Sequence, residues 1–323
     1  MYHRYIGAKV HILWRSSNIY LLLSEKSYTF AYSKHKKLTT SNMKRGLVLE
    51  GGGMRGLFSE GFFDVMQEAG IMVDGIIGVS AGALFGCNYK SHQLGRGLRY
   101  NTRFKNDPRY MGWWSFLTTG NLVNARFAYH TMPMELDVFD IPTFEADPTA
   151  FYLVCTDIET GQPVYQQIDH VEDETLEWFR ATGSMPIVST PVEIDGRKLL
   201  DGGLVDCIPL QHFQTLGYDR NIVILTRPKG YQKTPNKFIS MFKWWYPKYP
   251  QIAACMARRH EMYNAELQYI EQQAQQGNIL VIYPDHPLNI GRIELNEPKL
   301  RAIYQHGREK GIAMLDEVRT FLG

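Results

Sequence analysis

The sequence predicts an α/β fold: a mainly parallel sheet covered by helices on both faces. Three observations carry that prediction. Strongly apolar runs recur at Gly46 to Glu50, Phe151 to Asp157, Asn221 to Thr226 and Asn278 to Tyr283, as expected of strands buried on both sides. Helical patterns alternate with them, at Asp173 to Ala181, Gln251 to Gln276 and Glu297 to Leu322. Finally, Arg45 to Gly82 reads as one strand, glycine turn, helix and second strand, the last at Gly75 to Val79.

The chain has 323 residues, 44% of them hydrophobic, enough for one large core or two modest domains; one domain with additions is favoured. The formal net charge is +2, with Lys and Arg spread along the chain, so no nucleic-acid surface is expected. A pI near 8.2 still permits peripheral contact with an anionic membrane. No apolar run approaches the roughly 18 residues of a membrane span, and Ile19 to Leu23 is too short for a secretory core. The expectation is a soluble cytoplasmic protein. Cys87, Cys155, Cys207 and Cys255 are widely spaced and read as buried small residues, with no metal site or disulfide framework among them.

In chain order, residues 1–42 lack sustained periodicity and read as a poorly structured N-terminal extension, dispensable and even upstream of a natural start at Met43. The core is expected over 43–230, with 231–323 completing or extending it. Gly95 to Lys105 carries four charged side chains of Arg and Lys and reads as a solvated helix face, although an anionic head group could lie there. Residues 107–133 mix aromatics with Gly and Pro and suggest an irregular cap. Pro163 to Ile168 is an edge or hairpin partner, and Val192 to Leu200 is a tight hairpin around Asp195-Gly196 that delivers the chain to Asp201-Gly202-Gly203. Trp113-Trp114 and Trp244-Trp245-Tyr246, the latter flanked by Lys243 and Lys248, resemble interfacial anchors. At least one of the two clusters is expected to pack inside, and the second to dock on lipid.

The chemistry centres on Gly78-Val79-Ser80-Ala81-Gly82. A G-x-S-x-G sequence closing a strand sets its serine at a sharp strand-to-helix turn, where the helix N-terminus favours a developing anion. Ser80 is the candidate nucleophile, and the Ala81 N–H a candidate oxyanion donor. Gly51, Gly52 and Gly53 have no side chains to obstruct their N–H groups, which can converge on the same anion. Met54, Arg55 and Gly56 complete the turn, with Arg55 either holding the loop or adding positive potential. Read from the residues alone, Asp201 suits a turn as readily as a catalytic role.

GGGMRG one βα unit before GVSAG, followed by Asp201-Gly202-Gly203, resembles the patatin-like phospholipase family, whose signatures are G-G-G-x-[RK]-G, G-x-S-x-G and D-G-[GA]. Ala181 to Pro186 and Ile208-Pro209-Leu210 resemble the flanks, so the likeness covers about residues 45–226. It implies a three-layer α/β/α fold, a dyad with Ser80 as nucleophile and Asp201 as base, an oxyanion hole from Gly51, Gly52, Gly53 and Ala81, and no metal or other cofactor. The implied substrates are acyl esters of lipids such as phospholipids or lysophospholipids. Asp206 departs from the pattern, since many relatives have Asn before the Pro; a cap on the next helix is its plain structural role.

Two other assignments compete. An α/β-hydrolase triad in the order Ser80, Asp201, His286 would place the histidine after the strand at Asn278 to Tyr283. A dinucleotide-binding module would use Gly51-x-Gly53-x-x-Gly56, but it needs an acidic residue at the end of the second strand, where Ser80-Ala81-Gly82 stands. A non-enzymatic relative keeping the fold is disfavoured because all three signatures are intact.

Overall fold

The structure, a computed structural model, describes residues 3–5, 8–15, 18–23 and 43–323. It divides into two units, Met1–Met43 and Lys44–Gly323. In the first, β1 (His3–Tyr5), β2 (Ala8–Arg15) and β3 (Asn18–Leu23) pair antiparallel in that order. Strands therefore stand where the sequence suggests little regular structure. Ala8 to Ile12 alternates apolar and polar residues as a strand does, but the alternation lasts only five residues before Leu13 and Trp14 break it. Residues 24–42, also assigned to that extension, lie outside the described residues.

The second unit is built on β4 (Arg45–Leu49), β5 (Gly75–Val79), β6 (Ala150–Asp157), β7 (Gln162–Gln167), β8 (Val192–Ile194), β9 (Arg197–Asp201), β10 (Arg220–Ile224) and β11 (Ile279–Ile282). The run β11-β10-β4-β5-β6 is parallel throughout, whereas β7 and β9 pair antiparallel to β6 and β8 antiparallel to β9.

Successive residues of each parallel strand enter different cores, because side chains alternate across a sheet. Leu47, Leu49, Ile76, Phe151, Leu153, Ile222 and Ile224 face one core. That core is closed by α1 (Gly56–Glu68), α2 (Ala81–Lys90), α3 (Arg96–Arg103), α5 (Ile141–Ala146), α6 (Asp173–Gly183) and α10 (Glu297–Leu322). Val48, Ile77, Val79, Val154 and Val223 face the other, under α7 (Leu210–Thr215) and α9 (Pro250–Gln275). The fold is thus three-layered, α/β/α. Helices α1 and α10 cross closely enough that a Cβ at Gly61 would stand 2.1 Å from the Tyr304 carbonyl oxygen and one at Gly307 2.0 Å from that of Phe58. Side chains at either position would force the helices apart.

The expected irregular cap at 107–133 is corrected. The segment holds α4 (Trp113–Thr119), and a π-helix begins within it and runs through Phe127–Leu136. Pro133 sits inside that π-helix, which explains why no ordinary helical spacing marks it. The remaining α-helix, α8 (Ile239–Trp245), precedes α9.

Strand register positions the site. Val79 at the end of β5 lies opposite Val154 of β6, and Asp201 at the end of β9 lies opposite Cys155, the next residue. Strand β7 pairs with β6 over both stretches and so occupies its other edge. Strands β5 and β9 therefore abut end to end along one edge of β6, and both chains leave the sheet there.

Candidate active site

Ser80 follows β5 and precedes the first residue of α2, with φ 54° and ψ −125°. That is a strained conformation for a residue with a side chain, and strain of this kind gathers at functional sites. The turn is held by Thr182, whose hydroxyl accepts the Ser80 N–H at 2.9 Å and donates to the Val154 carbonyl at 2.6 Å. Gly78 and Gly82 are close-approach positions: a Cβ at Gly82 would stand 2.4 Å from the Leu49 carbonyl oxygen.

The glycine turn lies against the elbow, since a Cβ at Gly51 would be 2.8 Å from the Val79 carbonyl oxygen and 3.1 Å from the Ser80 Cβ. Glu50 anchors the turn, accepting the Thr226 N–H at 2.5 Å and the Tyr263 hydroxyl at 2.8 Å. From the other side, the Met54 N–H donates to the Arg292 carbonyl at 3.2 Å. Among the described residues, no protein acceptor takes the N–H groups of Gly51, Gly52, Gly53 or Ala81. Backbone donors left without acceptors at a turn are the kind of group that can receive an anion.

Asp201 ends β9 and is buried. Its backbone N–H donates to the Ser184 carbonyl at 2.8 Å, its carbonyl accepts the Thr156 hydroxyl at 2.8 Å, and its carboxylate accepts the Gly203 N–H at 2.8 Å. Burial pushes its pKa up, opposed first by the neighbouring Ser80 hydroxyl, then by the Gly203 N–H and the positive charges of Arg259 and Arg292. Arg55 is buried behind the turn, its pKa pushed down to about 10 by burial and by Arg227. Gly56 begins α1, its N–H donating to the carbonyls of Gly53 and Met54.

Ser80 stands between two chambers. One, of about 160 Å³, is lined largely by apolar side chains, among them Met54, Leu84, Phe85, Met111, Met132 and Phe179. The other, of about 100 Å³, holds Glu50, Gly51, Gly52, Arg55 and Asp201. Gly53, Ser80, Met185 and Arg292 line both.

Ser80, Asp201, Gly51, Gly52, Gly53 and Ala81 are therefore neighbours in space, with Arg55 directly behind. His286 is not among them: it is exposed, edge-on to His306 at 4.5 Å, and lines neither chamber. Asp74, the acid nearest the second strand, is spent on the Arg45 backbone N–H at 2.6 Å and the Arg45 guanidinium. The basic stretch at 95–105 is not a free solvated face either. Arg96 is buried against Asp137, which Arg99 also grips at 2.8 Å. Asp206 caps no helix but accepts the Tyr165 hydroxyl at 2.8 Å. Both tryptophan pairs are on the surface, Trp113 at 74% and Trp244 at 76% exposure, which corrects the expectation that one packs inside; only Tyr246 is buried. The four cysteines are free and buried, and no cluster of potential metal ligands occurs among the described residues. Thr182, Glu50 and Tyr263 escape sequence reasoning, since their roles depend on partners from 28 to 213 residues away.

The model for patatin-like phospholipases matches residues 47–213, and one for a domain of unknown function (DUF6363) matches 249–323. The uncharacterized protein YjjU of Escherichia coli K12 is 28% identical over 85% of this chain and 78% of its own. Lysophospholipase nte1 of Aspergillus oryzae is 26% identical over 85% of this chain, which spans only 18% of that protein. Its namesake from Neosartorya fischeri is 27% identical with the same coverage. The crystal structure of VipD from Legionella pneumophila aligns with a TM-score of 0.44 and 11% identity, over 95% of this chain and 70% of the other.

Proposed function

The chain belongs to the patatin-like phospholipase family, and from that premise we propose that it is a serine acyl hydrolase cleaving fatty acyl esters of phospholipids or lysophospholipids. The Ser80 oxygen attacks the acyl carbonyl while its proton passes to Asp201. The oxyanion is received by N–H groups of Gly51, Gly52, Gly53 and Ala81. Collapse breaks the ester bond, the departing alcohol takes the proton from Asp201, and Ser80 is left acylated. Asp201 then deprotonates a water that attacks the acyl group, and the returning proton frees Ser80 and the fatty acid. A carboxylate is a weak base for a hydroxyl, so preorganised donors and the α2 N-terminus must supply much of the stabilisation. The mechanism requires no cofactor.

The observation that carries this reading is the end-to-end meeting of β5 and β9 on one edge of β6, beside four unspent N–H donors. The apolar chamber suits an acyl chain. The lysophospholipase names of several relatives lend support, although the chain spans under a fifth of the first such relative. Lipid hydrolysis followed by mass spectrometry tests it: Ser80→Ala and Asp201→Asn should abolish fatty acid release and His286→Ala should retain most of it. Activity surviving Ser80→Ala refutes the assignment, and an inactive but folded His286→Ala favours the triad.

Access from a membrane surface belongs to the same proposal. No described helix is long and apolar enough to cross a membrane. Trp113, Trp114 and Leu117 on α4, and Trp244 and Trp245 on α8, are exposed aromatic and apolar side chains of the kind that seat at lipid interfaces. Sedimentation with anionic vesicles should drop for the double variant Trp244→Ala, Trp245→Ala; unchanged binding removes α8 from the contact.

A further inference from the structure

The chamber beside Asp201 has an unusual charge balance. Arg55, Arg227, Lys233, Arg259 and Arg292 line it, against two carboxylates, Glu50 and Asp201. Glu50 is already engaged by the Thr226 N–H and the Tyr263 hydroxyl. Among the described residues, none of the five cations has a carboxylate oxygen within 4.0 Å. Their contacts are of weaker kinds. Arg227 lies over the Tyr231 ring at 4.6 Å and Lys233 over that of Tyr263 at 4.0 Å. Arg259 donates to the Gly203 carbonyl and reaches the Cys207 sulfur at 3.4 Å. The Nε of Arg55 is buried with no acceptor.

Withdrawing positive charges from water without paired anions is costly, so a cluster like this is expected to have a counter-anion. Arg55 is buried, Arg227, Lys233 and Arg259 are half-buried, and Arg292 is exposed at the rim. The charges act on one another: Arg227, Arg259 and Arg292 are among the repulsions that lower the pKa values of Arg55 and Lys233, after burial itself. An anion placed among them would relieve desolvation and repulsion together.

Position says what that anion is attached to. An ester whose carbonyl meets Ser80, with its acyl chain in the apolar chamber, directs its alcohol portion toward the cationic one, since Ser80 and Arg292 line both. We propose that Arg227, Lys233, Arg259 and Arg292 bind a phosphate carried on the alcohol side of the scissile ester, so that phosphate-bearing acyl glycerols are selected over neutral ones. This rests on the acyl-hydrolase reading and names its substrate class. It also gives the C-terminal stretch a part in substrate choice, because Arg259 on α9 and Arg292 on the loop before α10 both lie in the 249–323 segment matched by the domain of unknown function.

The test separates binding from turnover. Ser80→Ala protein is titrated with a monoacylglycerol phosphate and with the monoacylglycerol of the same chain, and both lipids are offered to the wild type for hydrolysis. The phosphate lipid should bind at least tenfold more tightly. Arg227→Gln and Lys233→Gln, made separately so that one misfolded variant does not decide the matter, should each reduce that ratio severalfold, and inorganic phosphate should compete with the phosphate lipid. Equal binding of the two lipids overturns the proposal, as does a ratio unmoved in both folded variants. Inorganic phosphate binding without a lipid preference also overturns it, pointing to a free-anion site. Preferential binding with no hydrolysis of either lipid leaves the chamber's role standing and removes the hydrolase reading.

Discussion

The Thr182 hydroxyl bridges the Ser80 N–H, at 2.9 Å, and the Val154 carbonyl, at 2.6 Å, so a buried threonine ties the elbow to the adjoining strand. Thr182→Val keeps the shape and removes both hydrogen bonds, leaving a backbone donor and a carbonyl without this partner. The expected cost is about 1–3 kcal/mol of stability, with a fall in kcat exceeding the change in KM because the nucleophile loses its fixed position. Thr182→Ser should recover much of both. Thermal melts and kinetics on a soluble ester decide it; a kcat unchanged in Thr182→Val would mean that the elbow is held by other contacts.

The same elbow sets stability against activity. Ser80 sits at φ 54°, a region that glycine enters without penalty. Ser80→Gly should relieve about 1–3 kcal/mol of strain, against about 0.5–1 kcal/mol of added unfolded-chain entropy. Ser80→Ala keeps the strain. The glycine variant is therefore expected to melt higher than the alanine variant, with both inactive. Identical melting temperatures would show that the turn is not strained.

Gly51→Ala tests the glycine turn. The new methyl would lie 2.8 Å from the Val79 carbonyl oxygen and 3.1 Å from the Ser80 Cβ, so the turn must move away from the hydroxyl. Displacing an oxyanion donor costs about 10²–10³ in kcat. A variant that turns over normally would exclude this turn from transition-state stabilisation.

Burial raises the Asp201 pKa above the usual carboxylate value of about 3.9. Its base form is the ionised one, and a raised pKa means that this form is lost at higher pH than for a solvated aspartate. The acid limb of kcat/KM should accordingly fall above about pH 4 and stay in place in His286→Ala. A limb that moves or disappears in that variant would assign the titration to the histidine.

Much of this was legible in sequence because it depends on neighbours along the chain. Strands β4 and β5 are five residues each and apolar apart from Arg45, α10 begins and ends where its spacing does, and the elbow serine is marked by its own glycines. Asp201 is different. Its signature came from resemblance, and its place beside Ser80 depends on β9 pairing with the residue of β6 next to the one that pairs with β5. Of the cationic chamber only Arg55 carries a local signal, through its place in the glycine turn. Arg227, Lys233, Arg259 and Arg292 are separate charges scattered along the chain, each indistinguishable in sequence from a solvated side chain. The more conspicuous basic stretch, around Arg96 and Arg99, is instead tied up by Asp137, which both guanidinium groups contact.

The chamber's selectivity should itself depend on pH through Lys233. Burial first, then Arg259 and Arg227, push its pKa down to about 8, while Cys207 and Glu50 act in the opposite sense and the Tyr231 and Tyr263 rings lie beside it. The charged form is the protonated one, so it is present below pH 8 and lost as the pH rises through that value. Arg227, Arg259 and Arg292 remain charged across the same range. The ratio of affinities for phosphate-bearing over neutral lipid should therefore decline between about pH 7 and 9 without vanishing, measured in the Ser80→Ala protein so that turnover does not interfere. Lys233→Gln should flatten the profile at its alkaline level, and Lys233→Arg should flatten it at its acidic level, because a guanidinium keeps its proton. A decline that persists unchanged in Lys233→Arg would assign the titration to another group and leave Lys233 outside the anion's shell.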